Sequence, residues 1–333
     1  MHNLSRVISE ELFKAFSRLG NPPGRVAEAA KELNMEPLYA SRFVELLGRE
    51  EAEELLSTRS IHRTIRVNTL KTSRRTVITR LEEEGFHVEP YTPTPYGVVV
   101  VEAPYSPGAS KEYLKGMYTI QGPASMQAVL ALQPADAPVL DLCSGAGVKA
   151  TQIAQHTGKP ILSIDISRRK LLALRNNASR LGATNIIAVR GDATRISLGR
   201  EFRYILLDAP CTGEGLLPLP KGRRRRRRLE DLVERAILQA MLLENAIKHL
   251  APGGVLVYAT CSTAVEENEY VVSKVLEGRD DIHLERPPLD IGSPGVTEYL
   301  GLPISQDAKN CTRLYPHRHM TEGFTICRLR RSA

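Results

Sequence analysis

Two apolar runs end in a thiol. "YILLDAPCTGEG", Tyr204 to Gly215, passes through Asp208 and Pro210 to Cys211, and "GVLVYATCS" reaches Cys261. An acid, a rigid turn and a thiol at the end of a buried-strand pattern mark the edge of an active site. Carbon 5 of a pyrimidine is a weak nucleophile until a thiolate adds at carbon 6; the ring then becomes enamine-like and can attack a methyl sulfonium. That is covalent catalysis, splitting one hard step into two, and it needs a partly ionised thiol beside a cation or a helix N-terminus. Cys261 stands just before a helical pattern with Ser262 or Thr263 as its cap, which favours it as nucleophile. Cys211 lies close in sequence to Asp208 and Glu214, which would hold its proton.

The other cysteines, Cys143, Cys311 and Cys327, have no such setting, and Cys327 in "FTICRL" reads as core. No pair has C-x-x-C spacing, so neither a zinc site nor a thioredoxin-like dithiol is expected. An odd count argues against a disulfide framework.

"CSGAGVKA", Cys143 to Ala150, follows a strand and opens a helix, the setting in which glycines let backbone approach a ligand. Gly145-x-Gly147-x-x-Ala150 with Asp165 downstream also satisfies a dinucleotide fingerprint. The loop alone therefore leaves open a nicotinamide enzyme or an S-adenosylmethionine (SAM) enzyme. Asp192, placed to accept from an adenine amine, and Asp208, placed at the reactive end of a cofactor, tilt the choice. Four acids on successive strand ends (Asp141, Asp165, Asp192, Asp208), without an arginine set for a pyrophosphate, suit a cofactor without phosphates.

These residues need elements to hold them. From about Pro138 strands alternate with helices, which makes βαβ units and a parallel sheet covered on both faces, with ligands at the carboxyl ends of the strands. Residues 1–60 read as a helical segment. Residues 61–115 read as a small α+β unit with a helix starting near Thr72 and with Arg63, Arg66 and Lys71 close together. Residues 116–333 form the α/β unit.

The net charge of +7 suits an anionic partner such as nucleic acid, and part of it sits in "KGRRRRRR", Lys221 to Arg228. That run is either a solvated loop or a phosphate-contacting segment. No apolar stretch is long enough to span a membrane, and the N-terminus has neither a secretion-signal nor a transit-peptide pattern. A cytoplasmic monomer without metal is expected.

The paired motifs "LLDAPCTGEG" and "VYATCSTAVEENEYVV", with "IRVNTLK", "MYTIQGPASM" and "RLYPHRHMTEGFTICRL", resemble the RNA 5-methylcytosine methyltransferases of the NOL1/NOP2/Sun (RsmB-like) family over about residues 60–330. The resemblance implies a small RRM- or ferredoxin-like RNA-binding module before a Rossmann-like methyltransferase domain, with SAM as cofactor and RNA (tRNA or rRNA) as partner. It implies that Cys143, Ser144, Gly145, Ala146, Gly147, Val148 and Lys149 line the methionine part of SAM. Asp165 would hold the ribose, Asp192 the adenine, and Lys170 joins the cofactor set. Asp208 would stand between cofactor and target base. The resemblance makes Cys261 the nucleophile and gives Cys211 a role in breaking down the covalent adduct. The chain departs from the family in its glycine loop, usually A-P-G-G-K-T, and in the segment after "CTGEG". Two rival readings are a Rossmann NAD-dependent oxidoreductase and a non-catalytic RNA-binding or ribosome-assembly factor.

Overall fold

A computed structural model describes residues 2–216 and 226–333. Four helices open the chain: α1 (His2–Phe16), α2 (Gly24–Glu32), α3 (Pro37–Leu47) and α4 (Arg49–Ser57). Each buries one apolar stripe, such as Ile8 and Leu12 of α1 or Tyr39, Ala40 and Phe43 of α3, in the main core.

A small unit comes next: β1 (Thr64–Val67), α5 (Arg74–Glu83), β2 (His87–Tyr91), β3 (Gly97–Glu102), α6 (Lys111–Leu114) and β4 (Tyr118–Ile120). Its strands lie in the order β2-β3-β1-β4 and every pair is antiparallel, the split β-α-β arrangement. The helix expected from near Thr72 is capped by Ser73, whose Oγ accepts from the Thr76 amide at 3.1 Å. The three basic residues expected together have separate tasks. Arg63 is exposed. Arg66 is buried and donates to Gln121 Oε1 (2.9 Å), Val148 O (2.8 Å) and Thr151 Oγ1 (2.9 Å). Lys71 donates to the carbonyls of Lys115 (3.0 Å) and Arg180 (2.7 Å). Arg66 and Lys71 both bolt the small unit to the larger one: burial forces the Arg66 donors onto fixed acceptors, while Lys71 makes its link at the exposed edge.

The larger unit runs α7 (Pro123–Leu132), β5 (Val139–Leu142), α8 (Val148–Ile153), β6 (Ile161–Asp165), α9 (Arg168–Leu181), β7 (Ile186–Arg190), β8 (Phe202–Asp208), α10 (Leu229–Lys248), β9 (Leu250–Thr260), α11 (Glu269–Leu276), β10 (Ile282–Glu285), β11 (Ser293–Pro294), β12 (Thr312–Leu314), α12 (Pro316–His319) and β13 (Phe324–Arg331). Its sheet has the order β11-β12-β13-β9-β8-β5-β6-β7, with β10 also on β13. The pairs from β7 to β9 are parallel and those involving β10 to β13 antiparallel. Alternate residues face opposite layers: Ile205 and Leu207 join the core with α10, while Leu206 joins the core with α7. Strand order reverses at β5, so the crevice beyond β5 and β8 is the switch point at which such sheets bind ligands.

The expectation against a disulfide is corrected: Cys311 and Cys327 are bonded, with Cα atoms 4.3 Å apart. The antiparallel register that sets Thr312 opposite Ile326 brings the two cysteines face to face, a pairing no spacing rule reveals. Cys143, Cys211 and Cys261 are free. No described helix is long and apolar enough to cross a membrane.

Candidate active site

Parallel register levels the strand ends. Leu142 pairs with Leu207 and Asp208 with Ala259, so the residues that come after β5, β8 and β9 meet around one cavity of about 690 Å³.

The loop after β5 turns through left-handed backbone at Cys143 (φ 63°), Gly145 (φ 57°) and Gly147 (φ 78°). A left-handed non-glycine such as Cys143 costs about 1–2 kcal/mol, held here by the loop's own bonds. The Ser144 amide donates to Ile164 O at 2.9 Å, and Asn177 Nδ2 donates to Ala146 O at 3.0 Å. Asp165 Oδ2 accepts from the Gly145 amide at 2.9 Å while Oδ1 accepts from Ser167 at 2.7 Å. Gly147 faces away from the cavity: an added Cβ would stand 2.6 Å from Leu174 Cγ, so its bare backbone lets the loop close on α9. The other six residues of Cys143 to Lys149, together with Asp165, Lys170 and Asp192, line the cavity. Asp192 accepts from Thr194 N (3.1 Å) and Oγ1 (2.7 Å), and those bonds hold its carboxyl below the usual range.

Beneath lies Asp141, fully buried; burial first and Asp208 second push its carboxyl up to about 8. Ser163 Oγ donates to Oδ2 at 3.2 Å, and Oδ1 has no partner. Lys149 Nζ lies 2.7 Å from Asp208 Oδ2 and 5.4 Å from the centre of the Phe324 ring. Burial would lower the ammonium, but Asp208 outweighs it and, with Cys261 adding in the same direction, keeps Lys149 above its ordinary value.

Cys211 Sγ and Cys261 Sγ stand 2.8 Å apart. The two loops are stitched: the Gly215 amide donates to Cys261 O (3.1 Å) and the Gly323 amide to Gly215 O (2.9 Å). A Cβ on Gly215 would fall 1.8 Å from Gly323 O, so the crossing requires glycine. The Cys211 thiol is raised well above its ordinary value by its contact with Cys261, then by burial, then by Glu267. This corrects the neighbours expected to hold its proton. Glu214 turns away to Arg42, Tyr39 and Thr263, while Glu267 accepts from Thr212 N (2.8 Å) and Oγ1 (2.6 Å) beside the thiol. Gln239 Nε2 ties Glu267 to Pro210 O, both at 3.0 Å.

The helix cap expected after Cys261 is also corrected. Ser262 Oγ closes a local turn with the Ala264 amide at 3.1 Å, and Thr263 Oγ1 donates to Glu214, so neither caps an α-helix. The cation near Cys261 is Lys149 instead.

Sequence reasoning missed Gln121 and Ser125 at the start of α7, Ile166 after β6, Leu238 and Leu242 of α10, and Glu322 with Phe324. Only the last two had a signal, the acid and aromatic of "TEGF" before a strand. Burial holds the Glu322 carboxyl above its usual range, and it accepts from the Ala124 amide at 3.1 Å. Of the arginine run, 223–225 lie outside the described residues. Arg226 pairs with Glu36 at 3.4 Å, Arg227 donates to Thr212 O, and Arg228 pairs with Asp231 at 3.7 Å. Among the described residues no group of three or more His, Cys, Asp or Glu is placed to hold a metal.

A split β-α-β unit ahead of a Rossmann-like sheet with this crevice defines the methyltransferase class of fold. The family model described as 16S rRNA methyltransferase RsmB/F matches residues 127–330, and that described as the RsmF/B-like ferredoxin-like domain matches residues 40–105. The chain belongs to the RsmB/F methyltransferase family. It is 35% identical to the 28S rRNA (cytosine-C(5))-methyltransferase of Mus musculus over 87% of its own length and 38% of that protein. It is 36% identical to the tRNA (cytosine(72)-C(5))-methyltransferase of Pyrococcus horikoshii over 66% of its length and 54% of that protein. It therefore spans about half, or less, of these curated relatives. Among solved structures, a methyltransferase homologue from Pyrococcus horikoshii superposes with a TM-score of 0.82 at 34% identity, covering 93% of this chain and 99% of that one. NSun6 from the same organism, solved with SFG, gives 0.79 at 27% identity, covering 90% of this chain and 99% of that one.

Proposed function

We propose that this chain methylates carbon 5 of cytosine in tRNA or rRNA, with SAM as methyl donor. The observation that carries the reading is the pair of free thiols 2.8 Å apart at the edge of the cavity lined by the glycine loop and the strand-end acids. The names of the rRNA and tRNA cytosine-C5 relatives, and a neighbour solved with the SAM analogue SFG, support it.

The residues fit the cofactor. A cavity of about 690 Å³ matches the size of a small-ligand site. The unpartnered Oδ1 of Asp141 would gain a partner from a bound ammonium. Cys143 to Lys149 would hold the methionine part, Asp165 the ribose and Asp192 the adenine amine, with Lys170 at the rim. When bound, SAM supplies an electrophilic methyl group on a sulfonium.

The chain's own residues do the rest. The target cytosine leaves its stack to enter the cavity, and Cys261 as thiolate adds to carbon 6. Carbon 5 then takes the methyl group. Loss of the carbon-5 proton re-forms the ring double bond, and the Cys261–carbon 6 bond breaks with its electrons returning to sulfur. Cys211, which keeps its proton, assists that release. Asp208, held by Lys149, stands where cofactor and base meet. The small module, which runs on through β4 (Tyr118–Ile120) rather than ending at 115, stands between the 1–60 helices and the catalytic unit and would bind RNA through shape and unpaired nucleotides, in the cytoplasm.

The test is trapping on RNA containing 5-azacytosine. Wild type and Cys211→Ala should form the covalent complex and Cys261→Ala should not; the opposite pattern reverses the two roles. Saturable NAD binding without SAM binding would overturn the reading altogether.

A further inference from the structure

The N-terminal helices contribute no residue to the cavity wall, yet α3 reaches both cysteine loops. Arg42, 3% exposed, donates Nε and Nη2 to the two oxygens of Glu266, each at 2.7 Å, and Nη1 to Glu214 Oε2 at 2.7 Å. Glu214 comes after Cys211 in its loop and Glu266 after Cys261 in the other. Tyr39 OH (2.8 Å) and Thr263 Oγ1 (2.9 Å) complete Glu214, and Tyr299 OH (3.3 Å) completes Glu266. Neither acid lines the cavity.

A buried ion network is a poor way to gain stability, since apolar groups of the same volume serve as well or better. What a guanidinium supplies is geometry: a planar fork that fixes two carboxylates relative to one another. Here those carboxylates belong to the two segments whose thiols must meet. We propose that Arg42 is a positioning residue of the two-thiol centre, holding the Cys211 and Cys261 loops in register by gripping Glu214 and Glu266 in one fork. Its catalytic consequence rests on the cytosine reading; its geometry does not.

The test compares wild type with Arg42→Lys, Arg42→Met, Glu266→Gln and a control, Lys274→Met, which breaks the 2.9 Å link between α11 and Glu11 of α1. The first readout is the rate at which diamide joins Cys211 to Cys261, the two thiols giving up two electrons and two protons to the reagent, with mass spectrometry of the linked peptide. At a temperature where every variant is folded, Arg42→Met should slow that bond about 10- to 100-fold, the scale on which an ångström of misplacement acts. Arg42→Lys should fall between, Glu266→Gln should slow it too, and the control should match wild type despite lower stability. In methylation assays kcat should fall in the same order, with KM for SAM and RNA within about twofold. Equal oxidation rates across the series, with only thermal stability lowered, would overturn the proposal. If methylation proceeds and the oxidation series is flat, the fork falls and the cytosine reading stands. If no RNA is methylated yet the series holds, the cytosine reading falls and the fork stands. Should Arg42→Met not fold, Arg42→Lys and Glu266→Gln decide by the same two readouts.

Discussion

Asp141 lies fully buried at the floor of the cavity, and burial favours its neutral form. An unfolded aspartate titrates near 4, whereas burial and Asp208 raise this one to about 8. The folded state therefore binds the extra proton between those values, and stability falls as pH rises from about 4 through 8, by on the order of several kcal/mol. Asp141→Asn should flatten thermal stability across pH 5–9, leaving the variant the more stable protein at pH 9 while SAM binding by calorimetry weakens. A variant as pH-sensitive as wild type would place the titration elsewhere. At this scale the sequence was legible at strand ends: Asp141, Asp165, Asp192, Asp208, Cys211 and Cys261, the residues it singles out, line one cavity. Glu267 beside Cys211 was not legible, because its approach depends on the turn after β9 folding back. Nor was Arg42, whose partners lie far along the chain.

Between elements the decisive contact is Arg66, on β1 but spent on α8 and on Gln121, between β4 and α7. Hydrogen bonds from a charged group contribute about 1.5–3 kcal/mol each, and here they cross from the small sheet to the large unit. Arg66→Met should split a single calorimetric unfolding transition into two; one sharp transition would show that the units are coupled by other contacts. The alternation of strands and helices from Pro138 onward made the parallel sheet readable. The antiparallel strands β10 to β13 were harder: they are short, or take their order from pairing rather than from any local period. The fourth strand of the small sheet, Tyr118–Ile120, has only three residues, yet "MYTIQGPASM" reads as a strand giving way to a helix, and that is what it forms.

For the whole molecule, the Cys311–Cys327 bond closes a loop of 16 residues in sequence separation. Closure of that size contributes about 3 kcal/mol by restricting the unfolded chain. Unfolding in urea with and without reductant, beside Cys311→Ser/Cys327→Ser, should show wild type losing about that much on reduction and the double variant losing nothing. If the double variant responds to reductant as wild type does, the effect belongs to other thiols.

The crossing of Gly215 beneath Gly323 has a consequence for how the protein comes into being. On the ribosome, both thiols emerge well before the segment that completes their pocket, since Glu322, Gly323 and Phe324 are translated long after Cys261. Until β13 slots in beside β9, the nascent chain carries a half-built pocket with its sulfurs open to whatever oxidant or electrophile is at hand. β13, made after both thiols, is thus the strand that completes the wall of the pocket they line.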